Sequence, residues 1–330
     1  MLKTSVATLA FVFAASVASA QIVVNVDDVG CQDGYNNVNA LTGGVPASAS
    51  VSFDYNSATQ RLTLVVSNTT PVVGGQHTAL LTRIAFNAPE LAVTSMSIVS
   101  QTGSGGATPA FSLATDFTPN NGGVNGLCFG DFDVELFRSN LNGGIANPAA
   151  TLVSGPPGAA VTGPVTFVLA VNGPGAANIT TSAFAHSLSR NGTLANVACK
   201  FQGGGVGAAE SGTIGNSPDC SAGGWVVGTP SLGSTLTFVQ TGGVGCCGCL
   251  VISLDPTPTV WEGISLPVGL PFFAVISTCF TQNYRTETFD LQIPAIPELV
   301  GYTFYGAVLL VDSSLTQFSA SDQFPLTITL

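Results

Sequence analysis

The feature that most constrains the fold is a regular alternation of apolar and polar residues in short runs, broken by Gly, Asn and Pro. The clearest case is ASVSFDYNSATQRLTLVVSN at residues 49–68, where alternate positions are apolar on both sides of a polar turn at 56–59. These positions are Val51, Phe53, Tyr55, Leu62, Leu64 and Val66. Since successive side chains of a strand point to opposite faces, the pattern predicts a hairpin with one buried face.

Similar runs recur along the whole chain, and stretches of Ala, Glu, Lys and Leu at helical spacing are missing. The further strand candidates are IVVNVDD, ALLTRIAFN, AVTSMSIVS, CFGDFDVELF, GPVTFVLAVN, ANVACKFQ, WVVGTP, TLTFVQ, CLVISL, FFAVIST, TETFDLQI, GYTFYGAVLLVD and FPLTITL. Short strands at close spacing with turn residues between them are typical of sandwiches rather than of βαβ units. The fold class predicted is therefore all-β.

A glycine-rich stretch, QGGGVGAAESGTIGNSPDCSAGG, begins at residue 202 and interrupts the strand pattern. Its composition predicts a linker over 204–224. We expect an N-terminal β-sandwich at 21–203 and a C-terminal β-sandwich module at 225–330, each with Greek-key or jelly-roll-like connections. A module of this length can bury its own core.

The first twenty residues, MLKTSVATLAFVFAASVASA, run from Lys3 through an apolar segment to the small residues Ala18-Ser19-Ala20. This is the pattern of a secretory signal peptide cleaved before Gln21. We expect a secreted or extracellular, surface-associated protein with no membrane span after cleavage. Loss of Lys3 leaves 6 basic against 18 acidic side chains, a formal net charge of −12. This charge excludes the basic footprint of a nucleic-acid-binding protein.

The chain has eight cysteines, an even number in each half, and all are disulfide candidates in an oxidising compartment. They are Cys31, Cys128, Cys199, Cys220, Cys246, Cys247, Cys249 and Cys279. Four cysteines permit three pairings, so the sequence alone does not choose among them.

The stretch GCCGCL at 245–250 places three of these cysteines in four positions. Cys246 and Cys249 have the C-x2-C spacing of a zinc knuckle, but no second knuckle accompanies Cys279. Redox chemistry would place C-x-x-C at the head of a helix. We therefore expect two disulfides, one long-range bond to Cys279 and one within the cluster.

Acidic residues alternate with apolar ones in GDFDVEL at 130–136. An extended chain would align Asp131, Asp133 and Glu135 on one face. Carboxylates in such a row can bind calcium, which prefers several oxygen ligands, and the sequence predicts no other cofactor. The alternatives are a solvated acidic face and a pair of catalytic carboxylates, the latter requiring a pKa raised by burial.

The second half contains both tryptophans of the chain, Trp225 and Trp261, and the closely spaced tyrosines Tyr302 and Tyr305. Trp225 is interpreted as a core residue. Exposed aromatics serve as contact surfaces, so Trp261, Tyr302 and Tyr305 are candidates for a ligand platform that binds a glycan or a protein.

The phrases GTPSLGSTLTF at 228–238, IPAIPELVGYTFYGAVLLVD at 293–312 and FPLTITL at 324–330 resemble a C-terminal β module of secreted planctomycete proteins with a Gly-x-Pro-x-Leu-Gly opening. The front half resembles, more weakly, the ectodomains of PEP-CTERM-type exported bacterial proteins. It does so in VSFDYNSATQRLTLVVSNTT, FGDFDVEL and ACKFQGGGVGAAESG. Both resemblances imply export and an all-β fold, and neither supplies a catalytic residue.

These observations predict a bacterial, secreted, non-catalytic cell-surface or matrix protein that acts in adhesion, assembly or binding to an extracellular protein or glycan. The alternatives are a carbohydrate-binding protein, with or without calcium, and a secreted hydrolase. A hydrolase would need buried, convergent carboxylates or a triad centred on His77 or His186, and no local motif marks either one.

Overall fold

The structure, a computed structural model, is almost entirely β and describes most of the chain from Gln21 onward. The described residues are 21–27, 47–72, 79–104, 110–118, 123–126, 129–138, 144–149, 161–191, 194–203, 211–216, 220–242, 246–261, 264–279, 286–312, 314 and 318–330. Cys31, Cys128 and His77 lie outside them, as do the side chains of Trp261 and Cys279.

The strands up to Gly215 belong to the predicted N-terminal sandwich. They are β1 (Ile22–Val26), β2 (Ala49–Asn56), β3 (Arg61–Asn68), β4 (Ala79–Phe86), β5 (Ser95–Thr102), β6 (Ser112–Thr115), β7 (Val124–Asn125), β8 (Asp131–Phe132), β9 (Val134–Phe137), β10 (Ile145–Ala146), β11 (Val161–Thr162), β12 (Val165–Asn172), β13 (Val197–Gly203) and β14 (Ser211–Gly215).

The remaining strands begin at Gly223. They are β15 (Gly223–Val227), β16 (Thr235–Thr241), β17 (Cys246–Ser253), β18 (Thr259–Trp261), β19 (Ile264–Leu266), β20 (Phe272–Cys279), β21 (Thr286–Gln292), β22 (Thr303–Asp312), β23 (Phe318–Ala320) and β24 (Phe324–Thr327). Short helical turns lie at Ala176–Asn178, at Thr181–Ala185 (α1) and at Pro297–Leu299. No helix in the described ranges is long and apolar enough to cross a membrane.

The N-terminal sandwich consists of two sheets that face each other across one apolar core. Sheet I has the order β1-β2-β3-β12-β5, and sheet II has the order β11-β10-β4-β13-β14 with β9 and β6 added beside β4. Phe53 of sheet I meets Phe86 of sheet II edge-to-face, with ring centroids 5.7 Å apart. Such a contact between two inner faces defines a sandwich.

The hairpin predicted at 49–68 is confirmed, with one buried face. Val51 pairs with Val66, Phe53 with Leu64 and Tyr55 with Leu62, so all six apolar side chains lie on the buried face of sheet I. Each of the six is at most 2% exposed. Period-2 alternation around a polar turn was thus sufficient to fix the pairing.

Helix α1 closes one end of this core, although it has only five residues. The backbone N–H of Tyr55 donates to Oγ1 of Thr181, and the Tyr55 hydroxyl donates to the carbonyl of Ala176, 2.6 Å away. The ring of Phe184 packs on Tyr55 with centroids 5.1 Å apart. Burial raises the pKa of the Tyr55 hydroxyl, which acts here as a donor inside the core.

The C-terminal sandwich consists of sheet III, with the order β15-β16-β21, and sheet IV, with the order β20-β17-β22-β23 and β24 paired beside β22. Its core joins Val226 and Phe238 of sheet III to Leu250, Val308 and Phe324 of sheet IV. The rings of Phe238 and Phe289 stack in parallel, 5.1 Å apart. The predicted fold class is therefore confirmed.

The predicted linker is wrong over residues 211–215, which form β14 at the edge of sheet II. The reason is local, since Ile214 fills the N-terminal core while small residues surround it in the strand. The segment 204–210 lies outside the described residues. Cys220, also within the predicted linker, is held by a disulfide to Cys246.

The two sandwiches are joined by a buried side chain and by hydrogen bonds, and not only by a linker. Trp225 of β15 is fully buried and belongs to the core of the N-terminal sandwich, and its indole N–H donates to the backbone carbonyl of Glu90. The Glu90 carboxylate accepts a hydrogen bond from Thr286 of β21. Asp322 accepts from the backbone N–H of Ser182 at 3.0 Å and donates its own N–H to the Ser182 hydroxyl.

Candidate functional site

The acidic stretch at 130–136 is not one continuous strand. Asp131 lies in β8, which pairs with β7 in a small separate sheet, whereas Glu135 lies in β9 of sheet II. A bend at Asp133 divides them. Gly130 precedes the stretch with a φ of +89°, and a Cβ there would collide with the carbonyl oxygens of Arg190 and Asn191. Glycine is therefore required where the chain enters this region.

Asp133 is buried and serves as a structural anchor. One carboxylate oxygen lies against the guanidinium of Arg190, and the other accepts the backbone N–H of Ala88 at 3.2 Å. The backbone N–H of Asp133 donates to the side-chain oxygen of Asn87. Through Asp133 these bonds connect the end of β4 to Arg190, which is 57 residues from Asp133 in sequence.

Glu135 and Asp131 also have partners of their own. Glu135 is buried and forms an ion pair with Arg83 at 3.0 Å, and Asp131 accepts a hydrogen bond from the Asn191 side chain at 3.0 Å. The structure thus does not bring the three predicted calcium ligands together. No group of three or more His, Cys, Asp or Glu side chains within the described ranges is arranged to hold a metal ion.

The alternative of a solvated acidic face is wrong for this stretch, because Asp133 and Glu135 are among the buried charged residues. A buried carboxylate is retained only when a cation or several N–H donors compensate it. Here the compensation comes from Arg190 and Arg83, which the sequence pattern around Asp131 does not reveal.

Arg190 also organises the neighbouring loop. Its guanidinium donates to the carbonyl of Thr118 at 2.8 Å as well as to Asp133. Hydrogen bonds from the backbone and side chain of Thr118 lower the pKa of Asp116, with a smaller contribution from Arg190. Asp116 and Asp133 are joined directly, since the Asp116 N–H donates to the Asp133 carbonyl. This cluster is a structural network of paired charges.

The three cysteines of the cluster at 246–249 differ in their bonding. Cys246 pairs with Cys220, with an S–S distance of 1.99 Å and a Cα–Cα distance of 5.7 Å. Cys247 is also disulfide-bonded, and the register of β17 and β20 places the backbone of Cys279 directly opposite it. Cys249 is a free thiol.

The expectation of a disulfide within the cluster is therefore wrong, because Cys246 pairs with Cys220 and Cys249 is free. Neighbouring residues of a strand face opposite ways, so Cys246 points into the core of the C-terminal sandwich while Cys247 faces outward. That inward position brings Cys246 to Cys220, which precedes β15.

Cys199, also a disulfide candidate, is a free thiol buried in the core of the N-terminal sandwich. Burial raises the pKa of both the Cys199 and the Cys249 thiols. A raised pKa keeps a thiol protonated and poorly nucleophilic at neutral pH. Neither is therefore an activated thiol.

The aromatic residues occupy separate places. Trp225 is a core residue, as expected. Its strand, β15, belongs to the C-terminal sandwich, but its side chain lies in the core of the N-terminal sandwich. Trp261 ends β18. Tyr305 is half-buried on the outer face of sheet IV, where it packs beside Val251 and Ala307. Tyr302 lies just before β22 and is 56% exposed. Tyr302 and Tyr305 are three positions apart, so an extended chain directs them to opposite faces.

Tyr302 instead belongs to an exposed apolar group at one end of the C-terminal sandwich, which we call the tip. Its members are Leu291, Ile296, Val300 and Tyr302, each between 36% and 56% exposed. The tip surrounds the turn Pro297–Leu299, and Leu299 anchors that turn by packing on the core. Nothing in the spacing of these residues marked them as a group.

The tip lies at the end of sheet III opposite the junction. Strand β21 begins with Thr286, which bonds to Glu90, and ends with Gln292, which pairs with Thr235. Seven residues of strand span about 20 Å. The backbone bonds from Ile293 to Ser234 and from Gly301 to Ile328 hold the tip against the ends of sheets III and IV.

Comparisons with known proteins add little to this description. Neither models of protein families nor curated protein sequences match the chain. A crystal structure from Corynebacterium diphtheriae, described as that of a membrane-anchored protein, aligns with 94% of this chain and 59% of its own, at 8% identity and a TM-score of 0.22. The C-terminal domain of the AgI/II polypeptide BspA from Streptococcus agalactiae aligns over 93% of this chain and 100% of its own, at 10% identity and a TM-score of 0.18. Superpositions this loose carry no argument about function.

Proposed function

We propose that this chain is a secreted cell-surface or matrix protein that acts by adhesion, assembly or binding rather than by catalysis. The observation that best supports the proposal is the tip, where four exposed apolar residues come from one segment, 291–302, around a single turn. Exposed apolar residues scattered singly are ordinary, but a contiguous group is typical of an interaction surface.

The tip is built as a fixed surface. Pro294 precedes the short helical turn and Pro297 begins it, and both restrict the backbone. Leu299 ties the turn to the core. A surface that is already ordered loses less conformational entropy when a partner binds. The exposed residues of the turn are therefore suited to hold a partner.

The tip carries one negative charge. Glu298 is the one charged side chain of the segment 291–303, and it is exposed beside Ile296 and Val300. A partner with an apolar patch and a basic or neutral rim would fit this surface better than an acidic one.

The disulfide between Cys220 and Cys246 supports the extracellular part of the proposal, because disulfides persist in oxidising compartments. The signal peptide expected at 1–20 is consistent with it. Carbohydrate binding is the second candidate, favoured by the exposed ring of Tyr302.

The test is retention of the labelled, purified mature chain on cell envelopes and extracellular matrix from its own source. We expect saturable retention without release of soluble fragments from that material. Hydrolysis of the material that disappears in the Asp131→Ala variant would contradict the proposal and restore the hydrolase alternative. Elution of the retained protein by a simple sugar would identify the carbohydrate-binding form.

A further inference from the structure

The outer face of sheet I, which points away from the core, is a flat surface of short side chains. Rows of directly opposed residues cross its strands, and opposed residues of a sheet share a face. The first row is Val23, Ser52, Val65, Thr166 and Thr102, the second is Asp54, Thr63, Val168 and Ser100, and the third is Asn56, Arg61, Ala170 and Ser97. Only Arg61 has a long side chain.

We propose that this face binds the same face of a second copy of the chain, so that two N-terminal sandwiches stack back to back around a two-fold axis. The face lies on the N-terminal sandwich, apart from the tip. The dimer does not rest on the function proposed above.

The shape of the face suits a second sheet. Two sheets pack about 10 Å apart, with their strands about 30° from parallel, when both have the usual right-handed twist. Two copies of sheet I have the same twist and the same row spacing. Because the side chains in the three rows are short, almost none protrudes far enough to hold a facing copy away.

Apolar side chains lie among the polar ones on this face. Val65 and Val168 are diagonal neighbours at its centre, and Val23 at its margin is 55% exposed. The outer face of an antiparallel sheet is normally polar where it meets water. A second sheet would remove the apolar area of these three valines from water, and this burial favours association.

The area of the face reaches the lower limit for a specific contact. Sheet I has five strands. At a spacing of about 4.8 Å between strands and about six residues of 3.3 Å along each, the face covers roughly 500 Å². Two copies would bury roughly 1,000 Å² in total, the least that a specific interface needs. We therefore expect a weak dimer whose population depends on concentration.

Charge favours a second copy as the partner. The mature chain has a net charge of −12, so two copies repel each other over most of their surface. The three rows contain one acidic and one basic residue, Asp54 and Arg61, so this face carries no net charge. Both side chains are exposed, and neither forms an ion pair with another residue that the structure describes.

The positions of these two charges suit a two-fold axis. Asp54 lies opposite Thr63, and Arg61 comes two residues before Thr63 in the same strand. The two charged residues are therefore diagonal neighbours, about 7–8 Å apart. An axis that lies in the face, midway between them, would place Asp54 of one copy against Arg61 of the other. The same ion pair would form twice in the dimer.

The test is sedimentation equilibrium of residues 21–330 over about 1–200 µM, where the weight-average mass should rise toward that of a dimer. Val65→Lys puts a charge at the centre of the contact and should weaken the dimer at least about tenfold. Thr288→Lys, which adds the same charge at an exposed position of β21, is the matched control and should dimerise as the wild type does. Unchanged melting temperatures would show that both variants fold, as expected for outward-facing positions.

Exchange of the two charges tests the two-fold contact separately from Val65. Asp54→Arg should weaken the dimer about tenfold, because both ion pairs become contacts between like charges. General repulsion cannot cause this loss, since the variant has a smaller net negative charge than the wild type. Arg61→Asp should weaken the dimer as well, and the double variant Asp54→Arg with Arg61→Asp should restore it.

Four results would overturn the proposal. They are a monomer at every concentration, a dimer that Val65→Lys and Asp54→Arg leave unchanged, a double variant as weak as the single ones, and association that continues past the dimer, which would indicate a head-to-tail contact. The tip variant Val300→Ser with Tyr302→Ser should dimerise as the wild type does. Loss of the dimer and loss of binding through the tip can therefore be distinguished.

Discussion

The indole N–H of Trp225 lies 2.9 Å from the backbone carbonyl of Glu90 and joins the first strand of the C-terminal sandwich to the core of the N-terminal one. The side chain is fully buried, so the junction is part of a hydrophobic core rather than a contact between surfaces. The two sandwiches are therefore expected to depend on each other for stability.

Trp225→Ala should lower the free energy of unfolding by about 3–5 kcal/mol, the usual result of removing a buried large aromatic side chain. It should also separate the unfolding of the two sandwiches, which we expect to melt together in the wild type. Differential scanning calorimetry measures both effects. Val99→Ala, at an exposed position of β5, is the control and should change stability by less than about 0.5 kcal/mol. A single transition of unchanged midpoint in Trp225→Ala would contradict the shared core.

Arg190→Gln should destabilise the N-terminal sandwich by about 3–5 kcal/mol, because it leaves the Asp133 carboxylate buried and uncompensated. The double variant Arg190→Met with Asp133→Leu should recover much of this loss, since it removes both charges. Urea denaturation of the wild type, Arg190→Met, Asp133→Leu and the double variant provides the thermodynamic cycle. Strictly additive losses would show that the two side chains do not interact.

Asp322 gives the junction a defined pH dependence. Burial raises the pKa of Asp322 above its ordinary value of 3.8. A raised pKa in the folded state means that this group's contribution is fully present below about 3.8 and is lost as pH rises through the folded pKa. Asp322→Asn keeps an oxygen to accept the Ser182 N–H but cannot ionise. It should melt at a higher temperature than the wild type at pH 7, and the difference should disappear near pH 3.

The opposite result, a variant that is less stable than the wild type at pH 7 and equal to it at acid pH, would show that the ionised carboxylate stabilises the junction. Melting temperatures of both proteins across pH 3–7 decide between the two. Ser319→Ala, in the neighbouring strand β23, is a control without an ionisable group.

The cysteines can be distinguished by peptide mapping. Alkylation of the unfolded, unreduced chain should label Cys199 and Cys249 and leave Cys220, Cys246 and Cys247 unlabelled. In the native state Cys199 should not react, because it is buried in the core. Labelling of Cys246 without reduction would contradict its bond to Cys220.

Removal of that bond by Cys220→Ala with Cys246→Ala should cost about 3 kcal/mol, since the two residues are 26 apart in the chain and the bond restricts the unfolded state. Chemical denaturation measures the loss. Cys249→Ala is the matched control because it removes a free thiol, and it should have a smaller effect.

Strand pairing and side-chain burial that depend on local periodicity can be predicted from the sequence. The pairing of Phe53 with Leu64 follows from alternation around one turn, and the burial of Trp225 follows from its apolar surroundings. The neutralisation of Asp133 could not be predicted in the same way, because its partner is 57 residues away and no periodicity links them. The disulfide of Cys246 could not be predicted for the same reason. Its partner, Cys220, lies before the first strand of the C-terminal sandwich.

Glycine content misled the prediction at β14. Small residues reduce strand propensity, so the composition of SGTIG predicts part of a linker. In the structure this strand pairs with β13 over five residues, and its inward side chain, Ile214, joins the N-terminal core. The exposure of the apolar residues at the tip could not be predicted from the sequence either. The alternation of apolar residues does not indicate which of them a neighbouring sheet will cover.

The most direct test of the proposed function is the binding of residues 21–330 to cell envelopes and matrix from the source organism after the tip is made polar. Val300→Ser with Tyr302→Ser changes two exposed side chains and should leave the melting temperature nearly unchanged. We predict that saturable retention falls at least about tenfold, as expected when apolar anchors at the centre of an interface are lost, while Val99→Ser on the other sandwich binds as the wild type does. Equal retention of all three proteins would contradict the claim that this chain acts through its tip.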